Sequence, residues 1–126
     1  MKFLSDRFIL HLHAQLIDTF GGIHGLRDAD LLASALPQAQ AQFDGQPLHE
    51  DLAAAYCFHL CRNHAFLDGN KRVAASAMGV VLMLNGVDIR FDEVDLYRTI
   101  MGVAEGEVSK AELTAWLRER LPKTGR

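Results

Sequence analysis

Apolar residues along this chain recur mainly at the three-to-four spacing of amphipathic helices. Between Asp6 and Phe20 they fall at Phe8, Ile9, Leu12, Leu16, Ile17 and Phe20, and the pair Gly21–Gly22 stops the run. Asp28 offers a cap to a second helix striped by Leu31, Leu32, Ala35 and Leu36, which Pro37 interrupts or restarts as a new turn. Residues 38–47 are rich in Gln, Ala and Gly, with Phe43 as their one large apolar side chain, and predict a loop or a mobile flap. A third helix spans about His49 to Asn63, with Leu52, Ala55, Tyr56, His59 and Leu60 on its inner side. The next runs from about Asn70 to Asn85, ends at Gly86, and is apolar nearly all round, which predicts a place at the centre of a bundle. Val87 to Phe91 predicts a brief extended segment. Asp92 caps a helix from about Glu93 to Ala104. Ser109-Lys110-Ala111-Glu112 is a capping box opening a last helix that carries Leu113, Trp116, Leu117 and Leu121, and residues 123–126 predict a frayed tail. No repeat, linker or low-complexity block interrupts the pattern. It predicts a compact all-α bundle of about six helices.

Composition narrows the class. A chain of 126 residues, 49% hydrophobic and 23% charged, suits one soluble globular domain over residues 1–126. A net charge of −3 argues against a general nucleic-acid binder while leaving room for a local basic patch. Cys57 and Cys61 lie four apart on one helical face, without the geometry of a routine disulfide, and read as small buried apolar residues. The chain opens with no basic segment followed by an apolar one, and its longest apolar run is too short to span a bilayer. The expected setting is the cytoplasm, with neither membrane nor direct nucleic-acid contact.

The chemistry concentrates in His64-Ala65-Phe66-Leu67-Asp68-Gly69-Asn70-Lys71-Arg72, immediately before and at the start of the apolar helix. Free backbone N–H groups and the positive end of the helix dipole make such a start an anion site. His64 supplies an imidazole, the side-chain type suited to general base work at cellular pH, against the alternative of a His that merely caps carbonyls. Asp68 is a hard oxygen donor for Mg²⁺ held between phosphates, or a helix cap, or both. Gly69 permits a tight turn and close approach to a phosphate. Asn70 either orients the loop or reaches a phosphate through its amide. Lys71 and Arg72 supply a point charge and a planar fork. Neighbours on a helix diverge by about 100°, so they approach a ligand from different sides, or one pairs outward. Phe66 reads as core packing that pins the loop.

His-x-Phe-x-Asp-Gly-Asn-x-Arg, here His64, Phe66, Asp68, Gly69, Asn70 and Arg72, resembles the core motif of the Fic/Doc superfamily. The likeness is greatest to the Doc, or death-on-curing, toxins. It extends through Phe20-Gly21-Gly22, Gly25-Leu26-Arg27-Asp28 and Leu31 to Leu36, and on to Asn85-Gly86 and the stretch from Ala104-Glu105-Gly106 to Leu113, Trp116 and Leu117. The resemblance implies the Fic fold, with ATP and Mg²⁺ at the motif. Nucleotidyl-transferring Fic proteins usually carry Gly-Asn-Gly-Arg and a further Arg three residues on. This chain has Lys71 and Ala75 there, a change the Doc branch shares. For that branch the resemblance implies reversed ATP binding and transfer of the γ-phosphate to a protein hydroxyl. It further implies a threonine of elongation factor Tu as acceptor, arrest of translation, and a cognate antitoxin encoded beside the gene. The antitoxin would fold a disordered C-terminal segment into a helix on binding. Residues 38–47, with Phe43 as an anchor, and the early helices near the loop are the candidate surface for it. Ala65 replaces a proline found in many members and removes no reactive group. Two other readings stand beside this one. A Fic-type nucleotidyltransferase is opposed by Lys71 and Ala75; a non-catalytic binding protein is opposed by the intact His64, Asp68, Asn70 and Arg72.

Other polar residues carry weaker signals. Arg62 either adds charge to the site or pairs at the surface, and Arg27 with Asp28 suggests a buried ion pair or a helix cap. His11 and His13, two apart, point to different helix faces and do not share a metal. His24, His49 and His59 show no ligand spacing.

Overall fold

A computed structural model describes residues 2–41 and 49–122, with the side chains of 37–41 left aside. Among these residues it contains six helices: α1 (Asp6–Phe20), α2 (Ala29–Ala41), α3 (His49–Asn63), α4 (Asn70–Leu84), α5 (Glu93–Ala104) and α6 (Lys110–Arg120). The local signals explain most boundaries. Ser5 caps α1 by accepting from Phe8 N–H, Asp92 caps α5 by accepting from Asp95 N–H, and Ser109 with Glu112 closes the expected capping box. Asp28 Oδ1 accepts from the N–H groups of Asp30 and Leu31 and so caps α2. Gly21 ends α1 at φ 90, a conformation that L side chains rarely adopt.

One boundary differs from expectation. Pro37 neither ends nor restarts α2, which runs on to Ala41. A proline within a helix forfeits one backbone hydrogen bond and crowds the preceding turn, but its fixed φ is helical and the Gln and Ala residues after it favour helix. The expected flap thus begins as helix, and the rest of it, including Phe43, lies outside the described residues. Residues 87–91 form no strand, although half-buried Val87, Ile89 and Phe91 alternate with exposed Asp88 and Arg90 as an extended segment requires.

The apolar helix α4 lies at the centre of the bundle and shares that place with α3, which is the deeper of the two. On α3, Leu52, Ala53, Ala54, Ala55, Tyr56, Cys57, Leu60 and Cys61 are all buried, and both cysteines are free thiols. The helix packs against α2, α4, α5 and α6. On α4, Val73, Ala74, Ala77, Met78, Val81 and Leu82 are buried, whereas Met83 and Leu84 at its end are exposed. Polar side chains staple other segments to this pair. Tyr56 on α3 receives Leu4 N–H at 2.9 Å, Asn63 donates to Leu31 O at 3.0 Å, and Asn85 brackets Lys2 through both N–H and carbonyl. Glu50, wholly buried at the start of α3, meets Arg118 of α6 at 3.2 Å. The α3–α4 connection, residues 64–69, is therefore anchored at both ends in the best-packed part of the molecule.

Candidate active site

The connection begins under strain. His64 sits at φ 52, the only non-glycine residue at positive φ among those described. Its conformation is held from outside the loop. Arg27 Nε donates to His64 O at 2.8 Å, and the N–H groups of Arg27 and Asp28 both reach Ala65 O. Leu26 and Phe66 form an isolated antiparallel bridge, with Leu67 N–H on Gly25 O at 3.1 Å. Arg27 is thus not in a buried ion pair; it is an exposed side chain that clamps backbone carbonyls, while Asp28 is the cap. His64 is exposed, and its imidazole makes no hydrogen bond to the described residues.

The middle of the loop closes on itself. Asn70 Oδ1 accepts from Phe66 N–H at 3.0 Å and its Nδ2 donates to Phe66 O at 2.9 Å, so the whole amide is engaged in orienting the loop. Phe66 is buried, and its ring stacks on that of His13 at 3.8 Å between centroids. Asp68 is half-buried. Its Oδ1 accepts from Gly69 N–H at 2.8 Å and its Oδ2 from Ile23 N–H at 3.1 Å. An ionised carboxylate accepts about four hydrogen bonds or metal contacts, so these two leave lone pairs on both oxygens. Gly22 leaves the room: a Cβ there would lie 2.6 Å from Asp68 Oδ2. Gly69 takes φ 76 and ψ 17 as the N-cap of α4, and no side chain caps that helix. The first N–H groups of α4 are therefore free of side-chain partners at the positive end of its dipole.

These groups line a cavity of about 480 Å³, whose wall includes His64, Asp68, Gly69, Asn70, Lys71 and Arg72 from the loop and α4. The two adjacent cations do diverge. Arg72 lies over the exposed Phe20 ring, 4.7 Å from its centroid, and Lys71 is solvent-exposed. Ala75 lines the same wall and adds no charge.

Residues 3–82 match the model of the Fic/DOC family. The chain belongs to that family. It is 29% identical over 120 residues to a protein named Protein kinase doc from Escherichia phage P1, covering 94% of each chain. It is 42% identical over 86 residues to Toxin Doc of Mycolicibacterium smegmatis, covering 65% of this chain and 66% of that one. The loop just described lies within the matched residues, and the Doc branch is the one that these relatives represent.

The opposite wall of the Fic/DOC cavity lies beyond the matched residues. It comes from α5: Glu93, Leu96, Tyr97, Ile100 and Met101. Nothing local in the sequence marks these residues as site residues; they read as an ordinary amphipathic helix. Arg62, in the last turn of α3, ties that wall to the helix that leads into the loop. Its Nη1 donates to Val103 O and Ala104 O, each at 3.3 Å, capping the C-terminus of α5. It contributes to neither the cavity lining nor an acidic partner, contrary to both readings open from the sequence. His13 and the Ile23 N–H are further contributors that spacing alone did not reveal. The turn glycines Gly21 and Gly22 were the available signal.

Proposed function

We propose that this chain is a Doc-type toxin that transfers the γ-phosphate of ATP to a protein hydroxyl. The observation that carries the reading is one cavity lined jointly by an imidazole with no hydrogen-bond partner among the described residues, a carboxylate and two cations at the start of α4. His64 takes the proton from the incoming hydroxyl, a role that needs an accessible ring nitrogen. Gly69, Lys71, Arg72 and the first N–H groups of α4 hold the phosphates, with Asn70 keeping the loop in shape for them. The donor set fits Mg²⁺. Asp68 retains lone pairs on both oxygens, and no group of three or more His, Cys, Asp or Glu ligands exists among the described residues. One carboxylate plus substrate oxygens is how this cation is commonly held. When bound, it neutralises charge on the phosphate oxygens. Lys71 and the uncharged Ala75 favour phosphoryl over nucleotidyl transfer, by resemblance to the Doc branch and its kinase-named relative.

The acceptor we infer is a threonine of elongation factor Tu, with arrest of translation as the outcome in the cytoplasm. A cognate antitoxin holds the toxin in check. No helix here is long and apolar enough to cross a membrane. Incubation with elongation factor Tu, Mg²⁺ and ATP labelled at either the α- or the γ-position tests the chemistry. Label from the γ-position is expected on the protein; label from the α-position alone would establish nucleotidyl transfer instead. Calorimetry and circular dichroism with the neighbouring gene product test the partner, with binding and a gain of helix expected. A product that neither binds nor relieves growth arrest removes the antitoxin reading.

A further inference from the structure

The buried face of α1 consists of Ile9, His13 and Ile17, spaced four apart. An apolar residue at the middle position would bury without cost, whereas an imidazole needs a hydrogen bond to offset its desolvation. His13 is 3% exposed. Its Nε2 lies 2.7 Å from the carbonyl oxygen of Asp68. A carbonyl only accepts, so Nε2 carries the proton and donates. The flat face of the same ring stacks on Phe66, with an interplanar angle of 11°. The position of a Cβ on Gly69 would lie 3.5 Å from Nε2. One side chain from α1 thus touches the loop at Phe66 and Asp68 and leaves little room beside Gly69.

The peptide joining Asp68 to Gly69 gives this contact its consequence. Its carbonyl is held by His13, and its N–H donates to Asp68 Oδ1 at 2.8 Å. The two groups of a planar trans peptide point in opposite directions, so fixing the oxygen fixes the N–H. That N–H in turn orients the carboxylate. Glycine makes such a peptide easy to flip, because it populates positive and negative φ with nearly equal ease. A flip would withdraw the N–H from the carboxylate and reshape the first turn of α4.

We propose that His13 is a positioning residue that locks the Asp68–Gly69 peptide plane, and through it the Asp68 carboxylate and the anion-binding start of α4. Its bearing on catalysis rests on the phosphotransfer reading; its bearing on loop geometry does not.

Two substitutions separate the donor from the ring. His13→Phe keeps a flat ring against Phe66 and loses the donor; His13→Gln keeps a donor of similar reach and loses the ring. In nucleotide-free protein, the Gly69 amide resonance is expected to move or broaden in His13→Phe and to stay near its original position in His13→Gln. Affinity for ADP with Mg²⁺, measured by calorimetry, should fall several-fold in the Phe variant and recover in the Gln variant. kcat for γ-phosphate transfer should follow the same order, with a loss of about tenfold or more in the Phe variant, since small misplacements at a reacting centre are costly. Equal behaviour of His13→Phe and the unaltered protein overturns the proposal. So does a Gln variant as impaired as the Phe variant, which would show that a donor at this position does not restore the loop. If His13→Phe does not fold, the imidazole ¹⁵N spectrum of the unaltered protein decides: a proton on Nδ1 alone excludes the bond to Asp68. Because the spectra need no nucleotide, a protein that fails to transfer γ-label removes the functional reading while leaving His13 to be judged on them.

Discussion

The two walls of the cavity are built on different principles. The loop wall, residues 64–75, is over-determined: Arg27, His13, Asn70 and the Ile23 N–H each fix one of its backbone or carboxylate groups. The α5 wall offers surface, with Leu96, Ile100 and Met101 lining the cavity and Tyr97 65% exposed at its rim. Fixed dipoles and charges lose their worth within a small displacement, so the groups that face developing charge need a rigid frame. Apolar contact depends on area and tolerates sliding. Substitutions in the first wall should therefore act on the rate of chemistry or on folding, and those in the second on affinity.

The largest effect should come from His64→Ala, which removes the proposed base yet lies on an exposed, externally clamped backbone position. A loss of on the order of 10²–10⁴-fold in kcat is expected with an unchanged circular dichroism spectrum. A folded variant that still arrests growth would contradict general base catalysis by this residue. Phe66→Ala strikes the frame itself. Emptying a buried aromatic site costs about 3–5 kcal/mol, so denaturant unfolding should show much lower stability and activity should vanish with the fold. If stability is retained while activity falls, the ring acts on the site directly and the distinction between frame and chemistry blurs. Arg62→Ala loosens the link between the walls. Loss of two hydrogen bonds at a helix C-terminus predicts about 1 kcal/mol of destabilisation. A larger drop in kcat than in affinity would show that α5 is part of the rigid frame after all. Tyr97→Ala should be mildest, with a several-fold rise in KM and kcat preserved.

Acid provides a way to weaken α5's outer support. Hydrogen bonding from Arg120, with a further bond from Trp116, lowers the Asp95 pKa, and the Ser109 backbone bond lowers that of Glu112. Carboxyls depressed in the folded state contribute stability above their ordinary range and lose it as pH falls through the folded values. Burial, with Lys110 nearby, lowers the His59 pKa from 6.5. The unfolded chain then takes up this proton first, so stability also declines as pH drops below 6.5. Unfolding measured from pH 7 to pH 3 should show both stages, and Asp95→Asn should flatten the lower one. A profile flat over the whole range would discount all three groups.

Much of this was legible in the sequence, for reasons that differ between the walls. Helix boundaries followed from caps such as Ser109 and Asp92, which act within a few residues of themselves. The motif from His64 to Arg72 was legible because its chemistry is contiguous. Pro37 misled because the cost of one lost hydrogen bond was outweighed by the helix around it. Arg62 and Arg27 misled because both donate to carbonyls, partners that every residue possesses and no sequence pattern marks. The α5 wall was hidden because its place opposite the loop is set by packing on α3, some forty residues away in the chain.

The three successive alanines of α3, all fully enclosed, have an evolutionary consequence. Enlarging any one of them would overpack the interior at a cost of about 1–3 kcal/mol. Yet His64 projects just past the other end of the same helix, where side chains are open to solvent. Selection acting on such a molecule is channelled: the shaft that leads to His64 is closed to drift, while the rim around it remains free to vary.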